Sequence, residues 1–238
     1  MTSLIKVIGF DLDDTLYDRD QIYEKTFCIM ENKIISTGID FRTFNNKFQI
    51  NSLKEYDIFI KGKKKKIEYK IDRVIDTYNE FGITIDRDMA FVFDSVSKNL
   101  MNYLELRPGY IELLNTIQAK GIPLFVFSNG PYFDQMNKIK ALKLENWVPN
   151  ERIFVSEAIG KSKPSNEAFE YVTKSLGVRP NEIFYVGDNI DNDIKAGIKN
   201  GWNCLFYNYT KINASDCFPE VDSVVEMTNY IKKRVAAV

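Results

Sequence analysis

The chain has 238 residues, 45% of them hydrophobic and 27% charged, so it is neither disordered nor fibrous and can bury a core without disulfides or metals. Thirty-two basic against 33 acidic residues leave a formal charge of −1, which supplies no whole-protein field for nucleic acid or an anionic membrane. The sequence holds no histidine, which removes Ser-His-Asp and Cys-His catalysis and His-ligated metals, and its three cysteines (Cys28, Cys204, Cys217) form no CxxC pair, as expected of a reducing compartment.

Charge arrives before any long apolar region at the start of the chain, so no secretion signal is expected. No stretch approaches the roughly 18 apolar residues of a spanning helix, and the expected location is the cytoplasm. Short β-branched and aromatic runs recur at residues 5–10, 122–127, 153–155, 183–186 and 204–207. They are too unbroken for half-exposed strands and predict buried parallel strands.

The region from about 19 to 105 reads differently. Tyr23, Phe27, Met30 and Ile34 keep helical spacing, as do Ile67, Ile71, Val74, Tyr78 and Phe81, and then Met89, Phe93, Val96, Leu100 and Tyr103. These patterns predict a helical insert after the first strand. The run Lys61-Gly62-Lys63-Lys64-Lys65-Lys66 reads as a solvated helix–helix connection rather than an anion-binding patch. The core resumes at Arg107-Pro108-Gly109, where Pro108 suits a helix opening. Later, Tyr132, Phe133, Met136, Ile139 and Leu142 share one helical face, and Ala168, Phe169, Val172 and Leu176 another. Strands alternating with such helices imply an α/β fold, a Rossmann-like doubly wound parallel sheet. The core spans 1–18 and 106–238, with the helical domain at 19–105.

In an open α/β sheet, ligands gather outside the carboxyl ends of the strands. The first strand ends in Asp11-Leu12-Asp13-Asp14-Thr15, the second in Ser128-Asn129-Gly130, and the fourth in Gly187-Asp188 running to Asp193. Lys161-Ser162-Lys163-Pro164 lies after the third strand. In order and spacing these four clusters resemble the motifs of the haloacid dehalogenase-like hydrolase superfamily: hhhDxDxT, a strand ending in Ser or Thr, Lys followed by Pro, and GDxxxxD. The insert stands where that family's helical (C1-type) cap would sit.

The resemblance implies roles. Asp11 would be the nucleophile, forming an aspartyl-phosphate, and Asp13 the general acid/base. Ser128, the Asn129 amide and the Lys163 ammonium would hold phosphoryl oxygens. Asp11, the Asp13 carbonyl and Asp188 resemble the metal-ligand set, with Asp193 orienting Lys163 and a metal-bound water, and Thr15 bonding Asp13. The charge sum agrees with a metal: Asp11, Asp13, Asp188 and Asp193 against Lys163 give −4 + 1 = −3, which would repel a phosphate dianion. A divalent cation brings this to −1, and protonation of one carboxylate to zero. An all-oxygen set selects a hard cation, Mg²⁺.

Plainer readings compete at several positions. Lys161 rivals Lys163, which Pro164 favours. Gly160-Lys161-Ser162 fails as a P-loop because Val155 stands where glycine is required. Asp191 is read as a helix cap, the cysteines as core, and Tyr23, Phe27, Tyr56 and Phe59 as insert core rather than a base- or flavin-stacking surface. Asp13 argues against a dehalogenase, which lacks an acid at that point. A phosphatase is expected first, acting on a nucleotide, flavin mononucleotide or sugar phosphate. A phosphomutase of the same superfamily and a non-enzymatic phospho-acceptor are the alternatives. The only partner expected is a small phosphorylated molecule, with no nucleic acid and no membrane; the oligomeric state is not legible.

Overall fold

β-branched and aromatic runs form strands here because they pack on a pleated surface covered on both faces. The computed structural model describes residues 4–213 and 218–235, so Cys217 lies outside the described residues. β1 (Val7–Phe10), β2 (Leu124–Ser128), β3 (Ile153–Val155), β4 (Ile183–Gly187) and β5 (Asn203–Tyr207) stand at the five predicted runs, and a short β6 (Glu220–Val221) joins them. All pair in parallel in the order β3-β2-β1-β4-β5-β6. Every residue of β1, β2 and β4 is buried. The strand order reverses direction beside β1, where the carboxyl ends open a crevice for ligands.

The chain divides into two compact units, residues 1–18 with 105–238, and residues 19–104. The second unit consists of α1 (Asp20–Lys33), α2 (Phe41–Ile60), α3 (Lys66–Asn79) and α4 (Arg87–Leu100), with a short 3-10 turn after them. Three of these helices carry the predicted spacings. α2 has no such pattern because its buried face mixes Phe44 and Phe48 with Asn45, Asn51 and Glu55. Its phenylalanines still centre the unit: Phe44 lies 4.7 Å from the Phe27 ring and 5.2 Å from Tyr78. The polar residues find partners, Asn51 donating to Glu80 at 2.8 Å and Glu55 pairing with Lys64. Lys64 also reaches Asp72 at 2.8 Å and Lys61 pairs with Asp57 at 2.5 Å, so the lysine run is a helix connection tied down by ion pairs. Tyr56, Phe59 and Tyr69 form a ring cluster, Phe59 stacking on Tyr69 at 4.9 Å. Cys28 is exposed rather than core, since it follows buried Phe27 by one helical step and points to the opposite side of α1.

The first unit adds α5 (Tyr110–Ala119), α6 (Tyr132–Ala141), α7 (Ser156–Ile159), α8 (Asn166–Leu176), α9 (Ala196–Lys199) and α10 (Val224–Val235). Buried Phe125, Phe127, Phe169, Tyr185, Trp202 and Cys204 pack in its core. α8 buries Ala168, Phe169 and Val172 as predicted and is capped by Ser165, whose side chain accepts from the Ala168 N–H. α6 departs from the expected apolar face: it buries Gln135, Lys138 and Ile139 and leaves Phe133 76% exposed. Asp191 is not the cap of the π-helical segment Ile190–Lys195. Asn189 accepts from the Asp191 and Asn192 N–H groups at 3.1 and 2.8 Å, and exposed Asp191 pairs instead with Lys195 at 3.3 Å. Among the described residues no helix is long and apolar enough to cross a membrane.

Candidate active site

Asp11 continues β1 by one residue, its N–H donating to Val186 O at 2.9 Å, which carries its carboxyl to the end of the sheet. Asp14 then takes a left-handed conformation (φ 62°), one that Asp tolerates better than most side chains, and turns the chain back. Arg107 holds this turn, donating its N–H to Leu16 O at 2.9 Å and its guanidinium to Asp14 O at 3.2 Å.

Lys163 enters from the segment between α7 and α8 and is buried. Its ammonium lies 2.6 Å from Asp11 Oδ1 and 2.6 Å from Asp193 Oδ1, with Phe127 O at 3.0 Å and the Tyr185 hydroxyl at 2.9 Å. Asn129 pins the backbone there: its side-chain oxygen accepts from Lys163 N–H at 2.9 Å and its amide donates to Lys163 O at 2.8 Å. Lys161, by contrast, is exposed. Asp193 approaches so closely that a Cβ on Gly187 would lie 2.5 Å from its carboxyl, which explains glycine at the end of β4. Ser128 ends β2 and is buried.

The electrostatics follow from this burial. Loss of solvent pushes the Asp11 carboxyl up; Lys163 opposes the rise, Asp193 and Asp13 add to it, and the result is about 7. Burial works against the Lys163 ammonium, yet Asp11 and Asp193 hold it above its ordinary value. Asp11, Asp188 and Asp193 bring one carboxylate oxygen each within 4.8 Å of one another, a grouping that could hold a metal ion. Thr15 does not bond Asp13 as expected. Its hydroxyl donates to Asp188 Oδ1 at 3.2 Å, because the turn at Asp14 carries it to the other side.

Asp13 lies apart from that carboxylate group. Its oxygens accept from Lys138 Nζ at 2.7 and 3.0 Å, from Gln135 Nε2 at 3.0 Å, and from the Tyr17 hydroxyl. These donors account for the polar buried face of α6. Lys138 also changes the charge sum, from −3 to −2. The sequence reading missed Tyr17, Gln135, Lys138 and Tyr185. Two signals were present: a tyrosine hydroxyl inside an apolar strand needs a partner, and Gln135 and Lys138 stand three apart on the helix after Gly130.

The family model of the haloacid dehalogenase-like hydrolases matches residues 5–201. Glyceraldehyde 3-phosphate phosphatase of Pyrococcus furiosus is 27% identical over 209 residues, covering 87% of this chain and 82% of that protein. The protein of the same name from Methanocaldococcus jannaschii is 29% identical over 202 residues, with 81% and 80% covered. The crystal structure of the HAD hydrolase YfnB of Bacillus subtilis shares the fold, with a TM-score of 0.75 at 22% identity over 96% of this chain and 99% of that one. The chain belongs to the haloacid dehalogenase-like hydrolases, a family in which the Pyrococcus furiosus and Methanocaldococcus jannaschii relatives carry the name phosphatase.

Proposed function

We propose that this chain is a Mg²⁺-dependent phosphomonoesterase that hydrolyses a small phosphorylated metabolite through a phosphorylated Asp11. The observation that carries this reading is the Lys163 ammonium set 2.6 Å from both Asp11 and Asp193 at the strand ends. The donor set suits the cation: Asp11, Asp188 and Asp193 offer only carboxylate oxygens, and with Asp13, Lys163 and Lys138 they sum to −2, which one divalent ion cancels. Asp11, Asp188 and the Asp13 carbonyl would hold the ion, with Asp193 beside them; it would supply the charge neutralisation a phosphate dianion requires.

The chain's own residues perform the remaining work. An Asp11 oxygen attacks phosphorus while the bond to the leaving oxygen breaks, and Asp13, which enters this step protonated, delivers its proton to that oxygen. Asp13 then takes a proton from water as the water attacks phosphorus, which releases phosphate and frees Asp11. Ser128, the Asn129 amide and Lys163 hold the phosphoryl oxygens as charge redistributes over them. Asn129 keeps Lys163 in place, Asp193 orients its ammonium, and Thr15 orients Asp188. In this reading residues 19–104 act as the cap that selects the leaving group. The relatives' names make a three-carbon sugar phosphate, glyceraldehyde 3-phosphate, the first substrate to try.

The test is phosphate release with Mg²⁺ from a panel of glyceraldehyde 3-phosphate, phosphoglycolate, nucleotides, flavin mononucleotide and p-nitrophenyl phosphate. The wild type should release phosphate, with Asp11→Asn at least roughly 1,000-fold slower. Equal rates for the two proteins would remove Asp11 from the nucleophile's role.

A further inference from the structure

We propose that Lys138 is a positioning residue for Asp13, an inference that rests on the phosphatase reading above. Among the described residues the Lys138 ammonium forms its ion pair and hydrogen bonds with Asp13 alone, at 2.7 Å to one oxygen and 3.0 Å to the other. The two side chains are only 11% and 21% exposed, so the pair is largely shielded from water and salt. Tyr17 donates to the first oxygen and Gln135 to the second at 3.0 Å. The carboxylate is thus held at both oxygens by three side chains, two of them on α6.

Gln135 shows how this cradle is tied to the rest of the site. Its amide nitrogen donates to Asp13 Oδ2 and also to Asn129 O at 2.8 Å, while its own Oε1 is buried with no partner. Turning the amide over would aim an oxygen at two acceptors, so the orientation is decided in spite of the unpaired oxygen. A Cβ on Gly130, which has φ 150°, would lie 2.5 Å from that nitrogen, so glycine leaves the room Gln135 occupies. Asn129 in turn bonds the Lys163 backbone on both sides. A chain of hydrogen bonds therefore runs from Asp13 through Gln135 and Asn129 to the segment that carries Lys163.

The chemistry explains why such a cradle is useful. Asp13 serves in both half-reactions, so its carboxyl must keep one place while its proton leaves and returns. Lys138 contributes through that placement and not by touching the phosphoryl group. Its loss should appear in turnover and not in substrate affinity.

A double-mutant cycle tests this on the full chain with Mg²⁺ and p-nitrophenyl phosphate. Lys138→Met should lower kcat by about 10- to 100-fold with KM within about threefold, the scale expected of a misplaced catalytic group. In an Asp13→Asn background the same substitution should lower kcat by no more than about twofold, because the group it positions is already gone. In rapid acid quench, Lys138→Met should hold more of its protein as the Asp11 phosphoryl form than the wild type does. Additive losses overturn the proposal, as does a loss carried by KM, which would make Lys138 a substrate-binding residue. If Lys138→Met does not fold, Tyr17→Phe removes another donor from the same carboxylate, and additivity of its loss with Asp13→Asn overturns the cradle. A wild type silent across the substrate panel overturns the phosphatase reading and this inference with it; an active wild type with an additive cycle overturns this inference alone.

Discussion

Two lysine–carboxylate centres stand at the end of β1, two residues apart in sequence, and they are built differently. Lys163 is buried between Asp11 and Asp193, with Asp188 able to bring an oxygen near both. One cation faces three carboxylates there, a sum of −2, and the centre stays short of positive charge. Among the described residues Lys138 pairs with Asp13 alone and closes its charge to zero at the partly exposed edge of the candidate site. The same residue types therefore serve two ends. The first centre is left fit to take a divalent cation and a phosphate, while the second fixes a carboxylate in place without calling for either. Low dielectric sharpens the difference, because an uncompensated charge costs far more in the interior than at the rim.

Breaking the first centre should have the larger effect. Lys163→Met removes the cation between Asp11 and Asp193, and kcat should fall by about 100- to 1,000-fold, the scale of one lost transition-state donor. The melting midpoint should fall as well, since the two buried carboxylates lose their partner. A variant that keeps wild-type turnover would mean that the phosphoryl group is held elsewhere.

A middle-sized effect should come from pH and metal together. The folded-state value of Asp11 is raised from 3.8 to about 7, so in metal-free protein its contribution to stability is present below pH 3.8 and is lost as pH rises through about 7. Protons and Mg²⁺ compete for the same carboxylates, so Mg²⁺ should raise the melting midpoint more at about pH 8 than at about pH 5.5. EDTA should abolish turnover at both. A Mg²⁺-induced shift independent of pH would separate the cation from Asp11.

The smallest effect is expected at a third cation–carboxylate pair, outside the site. Arg179 donates to Glu182 at 2.7 and 3.0 Å, and its hydrogen bonds hold that carboxyl down at about 2. A lowered folded value stabilises above the ordinary 4.5 and fades as pH falls through about 2. Arg179→Ala should flatten the acid limb of the stability profile and leave kcat within about twofold, since the pair lies outside the candidate site and buried Glu182 keeps Lys6 at 3.0 Å as a second partner. A larger loss of turnover would show that charge pairs act on the site from a distance.

Much of this molecule was legible along the chain. Unbroken apolar runs located five strands, and the polar residues that follow three of them, with Lys163-Pro164, marked the strand ends that hold the candidate site. Helical spacing located α1, α3 and α4, but α2 was not legible because its buried face carries Asn51 and Glu55, whose burial depends on Glu80 and Lys64 from elsewhere. Thr15 was assigned to the wrong carboxylate because a single left-handed residue, Asp14, decides which way the turn faces. On α6, hydrophobicity favoured Tyr132 and Phe133, yet the helix buries Gln135 and Lys138.

By itself the sequence determined the strand runs, the place of the helical insert, and the identity of the acidic, hydroxyl and lysine groups at the strand ends. These are local properties, set by side-chain type and by periods of two and 3.6 residues. Only the tertiary structure decided that Lys138 meets Asp13 across 125 positions of sequence, and that Lys163 meets Asp11 across 152. A buried charge takes whatever partner the fold brings within reach, and the energy that selects the partner exists only once water has been excluded.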